Sequence, residues 1–65
     1  MKTFNDIWTA LNACEKDEMA ELLETSQPYL SQLAHGHREP SRHFAKIMEV
    51  EIGITRAHLF PRLFD

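Results

Sequence analysis

The sequence predicts an all-α fold, a compact bundle of four to five short helices, and three observations predict it. Apolar residues recur at helical spacing along most of the chain. Ser or Thr stands ahead of these stretches, where a helix N-cap belongs. Gly36 and Gly53 follow two of them, where a helix C-terminus wants a left-handed residue. No strand-like alternation, repeat, linker or low-complexity segment interrupts the pattern, so residues 1–65 read as one domain.

The elements follow in order. Phe4, Ile7, Trp8 and Leu11 fall at i, i+3, i+4 and i+7, one stripe of an amphipathic helix over residues 4–14. Thr3 caps it, with Asp6 completing a short capping box. A second helix spans residues 17–23, with Met19, Ala20 and Leu23 facing inward. Ser26 caps a third helix, and Pro28 in its first turn removes no needed donor. Leu30 and Leu33 are its inward residues, and Gly36 ends it. Residues 37–40 form a loop, after which Ser41 caps a fourth helix containing Phe44, Ala45, Ile47 and Met48. Gly53 breaks that pattern. Thr55 caps one short turn over residues 56–60, and Pro61 ends it.

Size and composition narrow the function. A chain of 65 residues buries only about 60% of the surface its unfolded form exposes, enough for one core but hardly for an enclosed catalytic cleft. Ser26, Ser31, Ser41 and the histidines form no nucleophile–base constellation, so neither an enzyme nor a small-molecule substrate or cofactor is expected. Cys14 is the sole cysteine, which excludes an internal disulfide and is expected to be an inert packing residue at the end of the first helix. His35, His37 and His43 invite a zinc reading. A glycine turn separates the first two and no acidic or thiol partner stands at ligand spacing, so no metal is expected. No apolar run approaches the roughly 20 residues of a membrane span, and residues 1–6 lack the apolar stretch of a secretory signal. The expectation is a cytoplasmic protein without membrane contact.

The formal net charge is −3, but it is unevenly placed. In residues 1–25, Lys2 and Lys16 stand against Asp6, Glu15, Asp17, Glu18, Glu21 and Glu24. In residues 26–48, Arg38, Arg42 and Lys46 outweigh Glu39, with His35, His37 and His43 added. A basic segment inside an acidic protein points to a surface facing a polyanion.

The basic segment adjoins the most informative stretch, Lys16 to Leu33, which reads as a helix-turn-helix: two short helices joined through Glu24-Thr25-Ser26. Ala20 allows a close crossing, and Leu23, Leu30 and Leu33 lock the angle. The second helix of such a motif stands proud enough to enter a DNA major groove about 12 Å wide. Gln27, Pro28, Tyr29, Ser31 and Gln32 are the candidate base-reading residues. Glutamine can bond an adenine edge in bidentate fashion, while proline and tyrosine can contact thymine methyls. Lys16, His35, His37, Arg38 and Arg42 are the candidate phosphate contacts. The bland alternative is that these polar and charged groups are simply solvated.

The chain resembles the Cro and lambda-repressor-like superfamily, most closely the YdaS-like Cro/antitoxin group of prophage regulators, over about residues 16–64. The resemblance rests on Ala20, Leu23, Ser26, Gln27, Leu30, Ser31, Leu33, Gly36 and Pro40, on Ile47-Met48-Glu49, and on the tail from Gly53 to Phe64. That tail is similar to the group's Gly-x-Thr-Arg-x-x-Leu-x-Pro-x-Leu-Phe ending. The sequence departs from the pattern at the turn, where Glu24 replaces the usual glycine and Thr25 the apolar residue after it. The turn must therefore tolerate a side chain at Glu24. The resemblance implies sequence-specific binding of double-stranded operator DNA, often as a dimer, with repression by promoter occupancy. Leu59 and Phe60 are expected to face the core, leaving Leu63 and Phe64 for a second protomer. An isologous homodimer would set two reading helices about 34 Å apart, one turn of DNA. A second reading, from a different class, is a protein-interaction module of the same fold, an antitoxin subunit or anti-repressor. The acidic balance and the apolar tail support it.

Overall fold

A computed structural model describes residues 2–64, and the described residues form five helices and no strand. These are α1 (Phe4–Thr9), α2 (Ala13–Leu22), α3 (Gln27–Ala34), α4 (Arg42–Ile52) and α5 (Arg56–Leu59).

The helix starts follow local cap chemistry. The Asp6 amide donates to the Thr3 hydroxyl at 3.3 Å, and the Asp6 carboxylate accepts from the Thr3 amide at 3.0 Å, a complete capping box. Ser26 and Ser41 accept from the amides of Tyr29 and Phe44, as their positions ahead of α3 and α4 predict. Thr55 precedes α5 but makes no side-chain cap; its hydroxyl pairs with His58 Nδ1 at 2.9 Å instead.

One boundary differs from expectation. The first helix stops at Thr9 rather than residue 14, and α2 begins at Ala13 rather than residue 17. A second capping box is the cause: Asn12 Oδ1 accepts from the Glu15 amide at 2.8 Å, and Glu15 Oε1 accepts from the Asn12 amide at 2.9 Å. Leu11 stays half-buried across the break, so the apolar stripe runs on while the backbone turns. Cys14 consequently sits in the first turn of α2 and is exposed, not packed at the end of α1.

Two helices end in the same hydrogen-bond pattern. After α3, Gly36 takes φ 79°, its amide donates to Leu33 O, and the His37 amide donates to Gln32 O. After α2, Glu24 takes φ 55°, its amide donates to Glu21 O, and the Thr25 amide donates to Ala20 O. Both are Schellman closures, and Glu24 fills the glycine place of the second. Gly53, at φ 81°, ends α4.

Phe4, Leu30, Ala45, Met48 and Leu59 are essentially solvent-free at the centre, with Trp8, Ala20, Leu23, Leu33, Ala34 and Phe60 around them. The Phe4 ring lies 6.0 Å from Trp8 and 5.7 Å from Phe60, so the short α1 and the tail share one aromatic cluster. The inward expectation for Leu59 and Phe60 holds. α3 packs against α1 and α2, while α5 packs against α4 and α1. Asn5 Nδ2 donates to Ala34 O at 2.9 Å, pinning α1 to the end of α3. Among the described residues no helix is long and apolar enough to cross a membrane.

Candidate nucleic-acid interface

A helix turns 100° per residue, so α3 has two clear sides. Leu30, Leu33 and Ala34 occupy the buried one. Pro28, Gln32 and His35, four and three residues apart, form an exposed ridge on the other. Ser31 and Tyr29 are half-buried on its flanks, and Gln27 is half-buried beside α2. None of the five predicted base-reading residues is in the core, and α5 packs elsewhere.

Two of them are more constrained than a free polar face. Gln27 Nε2 donates to the Asp17 carboxylate on α2. One of its two N–H groups is thereby committed, leaving the second and the carbonyl oxygen available. Tyr29 meets the Phe44 ring edge-on at 5.6 Å, and the Arg38 guanidinium lies 5.9 Å from the tyrosine ring centre. Tyr29 is thus a wall between core and surface rather than an outward contact, and it stacks Arg38 beside α3. Sequence spacing had no means of finding either pairing, because both join residues brought together only by the fold.

The predicted phosphate contacts separate into two groups. His35, His37, Arg38 and Arg42 are all exposed around the C-terminal end of α3 and the following loop. Buried Pro40 anchors that loop. Arg38 and Arg42 make no ion pair; among the described residues the one pair within 4.0 Å is Arg56 with Glu49. Glu39 therefore neutralises neither arginine directly. Lys16 is different: it is half-buried, with its ammonium 5.3 Å over the Trp8 ring, on the far side of the α1–α2 break. It braces α2 against α1.

Other candidates resolve plainly. Among the described residues no cluster of His, Cys, Asp and Glu is placed to hold a metal ion. The Cys14 thiol donates to Glu18 at 3.6 Å, and that bond, with the negative charge beside it, raises the thiol above its ordinary pKa. In the tail, Leu63 is exposed as expected. Phe64 is not free: its ring stacks edge-on with Phe60 at 6.5 Å, and Arg56 lies 5.7 Å over its other side. The expected two-residue self-association patch shrinks to Leu63. A shallow cavity of about 530 Å³ between the α1 start, the α3 end and the tail is lined by Phe4, Leu33, Phe60 and Leu63, with Arg38 and Arg62 at its edge.

No family model, curated protein or solved structure matches the chain.

Proposed function

We propose that the protein is a sequence-specific, double-stranded-DNA-binding regulator of the Cro type, in which α2 and α3 act as a helix-turn-helix and α3 enters the major groove. The observation that carries this reading is the exposed ridge of α3, Pro28, Gln32 and His35, bracketed by Arg38 and Arg42, which form no ion pair among the described residues. A polar helix face that its own tail leaves open, with unpaired cations at one end, suits a polyanion carrying a pattern of donors and acceptors.

Gln32, on the exposed ridge beside Pro28, is the most accessible polar base reader, with half-buried Ser31 on its flank. Gln27 adds a third in an orientation set by Asp17: its remaining N–H and its oxygen match the N7 and N6 positions of adenine. Arg38, steadied on Tyr29, and Arg42 contact phosphates on one side of the groove. Lys16 is left out of this interface. Pairing of two copies through Leu63 on adjacent half-sites of the DNA, and not in its absence, is part of this reading, since one module of this size offers little contact area.

Binding of duplex DNA by Gln32→Ala and Arg38→Ala tests it. Gln32→Ala is expected to lose about 1–3 kcal/mol of discrimination at one base pair while keeping its affinity for random DNA. Arg38→Ala is expected to weaken binding to all sequences alike and to lower the salt slope by about one unit. Equal losses on specific and random DNA for Gln32→Ala would remove α3 as the reading element.

The second reading, a protein-interaction module with little DNA binding, is favoured by one feature: two carboxylates of α2, Asp17 and Glu21, stand at the entrance to α3, with Asp17 bonded to Gln27. The absence of a shift with any duplex at low salt, together with a co-purifying partner, would move the balance to it.

A further inference from the structure

Three large apolar side chains stand exposed: Val50 at 70%, Leu22 at 54% and Leu63 at 38%. The first two lie within helix faces of opposite charge. On α2 the helical turn sets Cys14, Asp17, Glu18, Glu21 and Leu22 on one outer face, opposite Met19 and buried Ala20. On α4 it sets Arg42, His43, Lys46 and Val50 on one outer face, opposite buried Ala45 and Met48. None of these charges takes part in an ion pair among the described residues. α2 packs on α3 and α4 on α5, so the two faces do not cover each other.

We propose that the two faces bind one another between copies of this chain, the Leu22 face of one molecule docking on the Val50 face of the next. Leu22 stands among carboxylates, whereas Val50 stands beside the cations Arg42 and Lys46, the nearby Glu49 being paired with Arg56, so the unpaired charges of the two faces are complementary. Symmetric pairing is disfavoured on both sides, because α2 on α2 would oppose carboxylates and α4 on α4 would oppose cations. The stems of Arg42 and Lys46 add aliphatic surface around Val50 that a partner helix can cover. The contact therefore pairs unlike faces, α2 of one copy with α4 of the next, and it either closes as a two-fold dimer in which both pairings form or repeats head-to-tail. Two such short helix faces are small beside the about 1,200 Å² at which standard stable interfaces begin, so the association is expected to be weak. The inference does not rest on the DNA reading, although Arg42 belongs to both surfaces.

Sedimentation analysis of the full chain up to about 1 mM, the range in which a weak association populates, tests it. Two neutral double variants break one face each: Glu18→Gln with Leu22→Asn, and Lys46→Gln with Val50→Asn. All four positions are at the surface, and circular dichroism checks that both variants fold. The wild type is expected to associate as concentration rises, to a dimer or beyond, and each variant alone to remain monomeric or, at most, to pair far more weakly. Mixed, the two variants are expected to form a 1:1 complex that grows no further, since each retains one intact face. A monomeric wild type at the highest concentration overturns the proposal. So does a wild-type dimer that neither variant disturbs, which would point to the tail, or a variant mixture that stays monomeric.

Discussion

Glu24 is the one non-glycine residue at positive φ among the described residues, and it sits where α2 gives way to α3. An L-residue held there costs on the order of 1–2 kcal/mol. The turn is legible in the sequence, because it falls between an apolar run and Ser26. That Glu24 holds a glycine place in it was implied only by the resemblance to a known pattern, and its positive φ agrees with that. Glu24→Gly is expected to raise stability by about 0.5–1 kcal/mol after the added freedom of the unfolded chain is counted, which is roughly 4 °C in Tm for a domain this small. Thermal unfolding of the variant measures this; a lowered Tm would mean that the Glu24 side chain contributes more than its backbone costs. Other residue-scale features were not legible. The bond of Gln27 to Asp17, the stacking of Arg38 on Tyr29 and the seat of Lys16 over Trp8 all join different elements, and no local pattern encodes them.

At the scale of the element, cap chemistry did most of the work. Ser26, Ser41 and Gly36 act within three or four residues, and their roles in the structure match their placement in the sequence. The break between α1 and α2 was missed for the opposite reason. The apolar stripe through Leu11 continues across it, and the spacing of Asn12 and Glu15, itself a capping-box pattern, was the signal that marked it. The first capping box carries a pH dependence of known sign. The Thr3 amide, and then its hydroxyl, bond the Asp6 carboxylate and hold its pKa below the ordinary value of 3.8. The folded value thus lies below the unfolded one. The contribution of the box is complete above the ordinary carboxylate range and disappears as pH falls through the depressed folded value. Asp6→Asn is expected to lower stability at neutral pH and to make the acid limb of the stability profile shallower. Denaturant titrations across that range measure it, and an unchanged acid limb would show that the box contributes nothing.

For the molecule as a whole, five short helices share one small core, and its centre is correspondingly sensitive. Leu30 is fully buried where α3 meets its neighbours, so Leu30→Ala is expected to cost about 2–5 kcal/mol, most of the stability available to a domain of this length. Urea unfolding checks it, and a loss below about 1 kcal/mol would mean that the core is looser than its burial indicates. The all-helical class and the inward residues were legible because burial follows the helical period. The candidate site was legible only in part: its position on α3 and the following loop follows from the pattern, whereas the removal of Lys16 and the reduced role of Phe64 depend on packing. Contact of the outer ridge of α3 with the major groove is tested by amide NMR spectra recorded during titration with duplex DNA at low salt. The shifted signals are expected to gather on residues 27–32 and around Arg38 and Arg42, with the tail, apart from Leu63, little affected. Shifts absent at millimolar duplex, or confined to α5 and the residues after it, would contradict it.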